Sequence, residues 1–284
     1  MHPVNYSEFE LQGFDGIKLF TREWKPETSI KAWIALCHGQ SEHSGRYDYV
    51  ARTLVEAGYA IVISDLRGHG QSGGKRGHTD LFSHYVDDLR TTLNYTRKQI
   101  PNHLFLAGHS MGGLIAIYIA LENPSDISGI ILSSAALRFN FVPPTWKVFL
   151  GRLMAKIIPG LTMGNEVNVE DLSHDQNIVD HQRNDPYNHG VISARAFVEF
   201  VSAQEEVLKR AEEIKLPLLI MHGEQDKLIA VSGSRELHAG VSSKEKQLLI
   251  YKGLYHEIFN ELDRDKVIND VLFWLEARKA SQRG

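Results

Sequence analysis

A single cysteine, Cys37, stands in the 284-residue chain, which excludes an internal disulfide and matches a reducing compartment. At a strand end it reads as a small buried hydrophobe, the alternative being a thiol accessible to bulky alkylating agents. No C-x-x-C or H-E-x-x-H spacing gathers the 14 histidines into a ligand pattern, so neither a metal nor another cofactor is expected. No apolar run approaches the roughly 20 residues that span a bilayer, and integral insertion is not expected. The opening Met1-His2-Pro3-Val4-Asn5-Tyr6 lacks the basic and apolar regions of a secretory signal. The expectation is a cytoplasmic protein, with peripheral contact to a lipid surface left open. A net charge of −4 offers no electrostatic footprint for nucleic acid. Internal repeats and low-complexity tracts are missing as well.

What the chain does have is 43% hydrophobic residues, enough for a large core. The pattern begins with a hairpin, 9–11 and 17–24 joined through Gly13-Phe14-Asp15-Gly16. Apolar strand runs at 33–37, 60–64, 104–107 and 127–133 then alternate with helical periodicity at 47–57, 85–99 and 111–122. Such alternation predicts a mostly parallel central sheet with helices on both faces, an α/β fold. The rhythm breaks at Leu137 and resumes at Pro217 with strand, helix, strand and a last helix over 266–278. The expected organisation is a catalytic domain of residues 1–136 and 217–284 with a mainly helical cap, 137–216, inserted between them.

The chemistry centres on Gly108-His109-Ser110-Met111-Gly112, between a short apolar strand and a helix. A serine on a tight strand-to-helix turn points its hydroxyl out of the sheet, and the flanking glycines avoid collisions that a Cβ would cause. An ordinary glycine-bracketed turn gives the same letters, so the downstream residues matter. After the strand at 218–221 comes His222-Gly223-Glu224-Gln225-Asp226, and after the strand at 247–251 comes Tyr255-His256. Serine, acid and histidine thus follow in the order that α/β-hydrolases use, each just past a strand end, where a parallel sheet brings distant residues to one edge. Ser110 is the expected nucleophile, His256 its base and Asp226 the orienting acid. Glu224, Asp175 and Asp180 are the rival acids. The oxyanion donors expected for this arrangement are the backbone amides of Met111 and of Gln40, in His38-Gly39-Gln40. Asp65-Leu66-Arg67-Gly68-His69-Gly70 reads instead as a loop knitted by local hydrogen bonds, and Glu42-His43 and Arg46-Tyr47 as structural.

Three blocks, the run from His38 to Tyr47, Asp65 to Ser72, and Gly108 to Gly113, resemble the signatures of monoacylglycerol lipases and related lysophospholipase-like serine hydrolases. The likeness continues through Leu172-Ser173-His174-Asp175, Asp185-Pro186-Tyr187, His222-Gly223 and Tyr255-His256. It implies the α/β-hydrolase fold, Ser110, Asp226 and His256 as triad, Gln40 and Met111 as oxyanion donors, and monoglycerides of medium or long chain as substrates. Lysophospholipase or general short-chain carboxylesterase activity is the alternative, and a non-catalytic binding protein of the same fold is the reading from another class. Gln40 departs from the small residue frequent after His-Gly in that family, which bears on the width of the acyl site.

One more stripe stands out in the expected cap. Trp146, Phe149, Leu150, Leu153, Met154, Ile157 and Ile158 recur at helical spacing after Pro143-Pro144. Packing on the domain below explains such a stripe; a lipid-handling enzyme adds the alternative that Phe149 and Leu153 line an acyl tunnel or touch a lipid surface.

Overall fold

The computed structural model describes residues 4–99, 103–141 and 145–281. An eight-stranded sheet runs in the order β1-β2-β4-β3-β5-β6-β9-β10. β1 (Val4–Gln12) and β2 (Lys18–Pro26) form the leading hairpin, and β2 lies antiparallel to β4 (Tyr59–Ser64). From β4 onward neighbouring strands are parallel: β3 (Ala32–Cys37), β5 (Leu104–His109), β6 (Ile127–Ser133), β9 (Leu218–Gly223) and β10 (Lys246–Tyr251).

The alternation of side chains across a strand separates two cores. On β3, Trp33, Ala35 and Cys37 pack on one face, beneath α2 (Phe82–Arg97) and α3 (Met111–Leu121). Ala32, Ile34 and Leu36 pack on the other, against α1 (Asp48–Glu56) and α8 (Arg264–Ser281). Covered on both faces, the central strands read as continuous apolar runs rather than alternating ones. The helix α3 is buried around almost its whole circumference, which accounts for its unbroken apolar sequence Leu114 to Leu121, interrupted only by a half-buried Tyr118. Each fully buried Leu or Ile contributes on the order of 1.5–3 kcal/mol.

Two of the boundaries that differ from the sequence expectation have a plain physical reason. β1 extends over the full register from Val4↔Pro26 to Gln12↔Lys18, because an edge strand with one wet face carries polar residues that periodicity alone passes over. α2 begins at Phe82 rather than 85, since Leu81 is extended and Phe82 turns into the core.

Between β6 and β9 the chain leaves the sheet. It forms α4 (Thr145–Ile157), β7 (Thr162–Gly164), α5 (Gln176–Asn184), β8 (Val191–Ser193) and α6 (Ala194–Lys209), with β7 and β8 paired as an antiparallel ribbon. After β9, α7 (Val231–Gly240) leads to β10. Pro143, Pro144 and the side chain of Trp146 lie outside the described residues.

Candidate active site

Four strand ends supply the site. β3 ends at Cys37 and opens the loop His38-Gly39-Gln40; β5 and α3 meet at Ser110; β9 leads to Asp226 and β10 to His256. Ser110 sits at φ 52°, ψ −121°, a left-handed conformation held by its surroundings. Its amide donates to Ser133 O at 3.0 Å and its carbonyl accepts from Ala136 N at 2.9 Å. The glycines around it have no room for a side chain. A Cβ on Gly108 meets Gly112 O at 2.4 Å, and one on Gly112 meets Cys37 O at 2.2 Å. The turn thus brings the end of β3 and the loop that follows it directly against the first turn of α3.

His256 Nε2 lies 3.0 Å from Ser110 Oγ, placed to take its proton, and Nδ1 donates to Asp226 Oδ2 at 2.6 Å. Asp226 Oδ1 accepts the amides of Leu228 and Ile229 at 2.8 and 2.9 Å. Oδ2 has a second partner, His222 Nε2 at 3.1 Å, which also reaches Ile229 O at 3.1 Å. Two acceptors at Nε2 leave Nδ1 of His222 to accept from Ser234 Oγ at 2.7 Å. Burial alone favours a protonated Asp226, but the positive charge on His256 and the hydrogen bonds from His222 and His256 hold its carboxyl well below the usual range. For His256, burial works against the charged ring, and the adjacent Asp226 carboxylate outweighs it to raise the pKa.

Met111 occupies the first position of α3, where an amide has no partner inside the helix. Among the described residues neither its amide nor that of Gln40 donates to a protein acceptor. Gln40 is half-buried and its side chain reaches Val191 O at 3.4 Å, filling space over the loop.

The rival acids are elsewhere. Asp175 caps α5 through Asn177 N, Asp180 is exposed and pairs with Arg183, and Glu224 is exposed with Gly253 N at 3.3 Å. Asp65 is buried and knits its loop, accepting Ser44 N at 2.7 Å and Gln71 N at 2.8 Å. Burial pushes the Cys37 thiol up, which keeps it protonated and inert.

Ser110, His256 and Gln40 border a cavity of about 520 Å³. Phe139, Phe197, Phe200, Ile192 and Ile229 give it an apolar side, and Asn165, Gln182, Asp185, Asn188 and His189 a polar one. Phe149 and Leu153 are not among its lining residues; they are 70% and 40% exposed on α4, with Ile157 at 61%. Of the two roles weighed for them, the cavity lining does not include them; among the described side chains of the stripe Phe149, Leu150, Leu153, Ile157 and Ile158 are exposed and Met154 is half-buried. His222 and Ser234 escaped sequence reasoning; the signal available was the histidine that opens the Asp226 loop, four residues before the acid.

The sequence profile of the family described as serine aminopeptidase, S33, matches residues 28–263. A monoacylglycerol lipase of Mycolicibacterium smegmatis is 34% identical over 271 residues, 95% of this chain and 96% of its own. The monoglyceride lipase of Rattus norvegicus is 34% identical over 275 residues, covering 95% of this chain and 90% of the relative. The crystal structure of a monoacylglycerol lipase from Paleococcus ferrophilus superposes with a TM-score of 0.83 at 32% identity, covering 92% of this chain and 99% of that one. Fold, strand-end serine and similarity along nearly the full length agree: the chain is a serine hydrolase that belongs to the serine aminopeptidase S33 family of α/β-hydrolases, alongside the monoacylglycerol lipases.

Proposed function

We propose that the protein hydrolyses monoacylglycerols to fatty acid and glycerol, with Ser110, His256 and Asp226 as its triad and the amides of Gln40 and Met111 as oxyanion donors. The observation that carries this reading is the hydrogen-bonded chain from Asp226 through His256 to Ser110, at the edge of a cavity apolar on one side and polar on the other. Ser110 Oγ attacks the ester carbonyl carbon while His256 Nε2 takes its proton. The oxyanion then forms between the two amides, each worth on the order of 10²–10³ in turnover. Collapse expels glycerol, protonated by His256, and leaves an acyl-serine. Water, deprotonated by His256, attacks that ester and restores Ser110. Asp226 stays ionised throughout, fixing the ring tautomer and stabilising the imidazolium.

The head group follows from charge. Each described cation lining the cavity is already paired: Arg46 with Glu42 and Glu257, Arg183 with Asp180 and Glu170, and Lys227 with Asp171. Among the described residues a phosphate gains no uncommitted partner there, whereas hydroxyls suit the neutral Asn and Gln side chains. Hydrolysis rates across monoglycerides, triglycerides and lysophospholipids of matched chain length test this. Monoglycerides are expected to lead by at least about tenfold, the factor that one lost good contact supplies; lysophospholipids hydrolysed equally fast refute the assignment.

Residues 137–216 act, in this reading, as a cap that meets lipid aggregates through α4. Its sequence carries Lys147, Arg152 and Lys156 and no acid, and its exposed Phe149, Leu150, Leu153 and Ile157 offer an apolar face to an interface. Phe149→Asp and Leu153→Asp are expected to lower activity on aggregated long-chain monoglycerides by about tenfold or more, and on soluble short-chain esters by less than about twofold. Equal losses on both substrates, with a falling Tm, show that the stripe holds the fold and does not meet lipid.

A further inference from the structure

Beside the histidine lies a buried ion network that the hydrolytic steps leave unused. Arg46 donates from Nη1 and Nη2 to the two oxygens of Glu257 at 2.6 and 2.7 Å, and from Nη1 to Glu42 Oε2 at 3.0 Å. Glu42 Oε1 accepts the amide of Gly39 and the hydroxyl of Tyr47, the latter at 2.7 Å. Glu257 Oε2 also accepts from Asn260 Nδ2 at 2.9 Å. The three charged side chains are at most 8% exposed. Two carboxylates share one guanidinium, so a negative charge is left over in the interior. Such a surplus is costly to keep unless something nearby uses it.

What adjoins the network is the reaction itself. Gly39, whose amide Glu42 holds, precedes Gln40; Glu257, held by Arg46, follows His256. Arg46 and Glu257 are 211 residues apart, and their bidentate pair joins the loop of the oxyanion donor to the loop of the base. We propose that Glu257 is a positioning residue for hydrolysis, locking the His256 loop to the oxyanion loop through Arg46 and supplying the surplus negative charge that favours the imidazolium as it forms. This inference rests on the assignment of His256 as the base.

The groups facing His256 are Asp226 from the loop after β9, His109 from the end of β5 with its ring 4.9 Å away, Glu257 itself, and Glu42 with Arg46. His109 adds no charge at neutral pH: burial and the His256 charge push its pKa down to about 4. Glu257 is ionised, because Arg46 overrides its burial and holds the carboxyl well below the usual range. Glu257 and Glu42 therefore act on His256 in the same direction as Asp226, toward the charged ring.

The test is the pH profile of kcat/KM on a soluble short-chain ester, with active sites counted by a fluorophosphonate probe. Glu257→Gln keeps the shape and an acceptor for Arg46 but removes the charge. A weaker negative field lowers the His256 pKa, so the acid limb moves to lower pH. Per labelled site, kcat falls about tenfold with KM unchanged, a small share of the ~10²–10⁴ that a positioned base supplies. Glu257→Asp brings the limb back toward wild type. A Glu257→Gln enzyme with wild-type limb and wild-type kcat per labelled site overturns the proposal, as does a loss that follows only the fraction of sites labelled. Failure of the probe to label Ser110 in the wild-type protein overturns the triad assignment instead, so the two failures are told apart.

Discussion

Ser110→Ala is expected to lower ester hydrolysis by on the order of a millionfold while leaving Tm within a few degrees of wild type. The hydroxyl is bonded to His256 at the cavity, not packed in the core, so its loss opens no interior void. Alanine also inherits the same left-handed backbone, φ 52°, and the strain of the turn is unchanged. Turnover, fluorophosphonate labelling and a thermal melt on the same preparation check this. A variant that keeps near-wild-type turnover shows that Ser110 is only a turn residue and that another nucleophile does the chemistry.

Asp226→Asn is the second large effect, a loss of about four orders of magnitude. The geometry explains why an isosteric change is so severe. Asp226 accepts four hydrogen bonds, two backbone amides on Oδ1 and two histidines on Oδ2. Asparagine keeps its oxygen on the amides of Leu228 and Ile229, which turns its NH₂ toward His222 and His256. His256 must then accept at Nδ1 and carry its proton on Nε2, where it no longer takes one from Ser110. Glu224→Gln, at an exposed side chain, is the matched control and is expected to retain activity within about twofold, as ordinary surface changes do. The reverse pattern transfers the role to Glu224.

The sheet and the strand-end residues were legible because they depend on short-range pattern. Apolar runs bounded by turns mark the parallel strands, and Ser110, Asp226 and His256 each stand just after one of them, which places the three residues on one edge of the sheet. Charged residues brought together across the chain were not legible. Glu42, Arg46 and Glu257 belong to segments about two hundred residues apart, and nothing in local periodicity pairs Arg46 with a particular acid among 35 acidic residues. The exposure of the α4 stripe was not legible for a different reason. Periodicity shows that apolar residues share a face, but whether that face looks inward depends on what packs against it, and here it looks out.

The segment between β6 and β9 is sewn to both banks of the cleft. On one bank His43 Nε2 donates to Asp185 Oδ2 at 2.9 Å and His189 N to Ser41 O at 3.2 Å; on the other, Glu257 N donates to Leu172 O at 2.9 Å and Lys227 pairs with Asp171 at 2.8 Å. Lifting the segment as a rigid lid ruptures all of these together. At about 1 kcal/mol apiece the lifted form is populated on the order of one molecule in a thousand. α4 exposes Phe149, Leu150, Leu153 and Ile157 on one side and packs along α6 on the other, with Ala155 buried and Met154 half-buried. The stitches on the two banks border the loops that carry Gln40 and His256, so the same contacts that hold the segment down hold the two loops in register with one another.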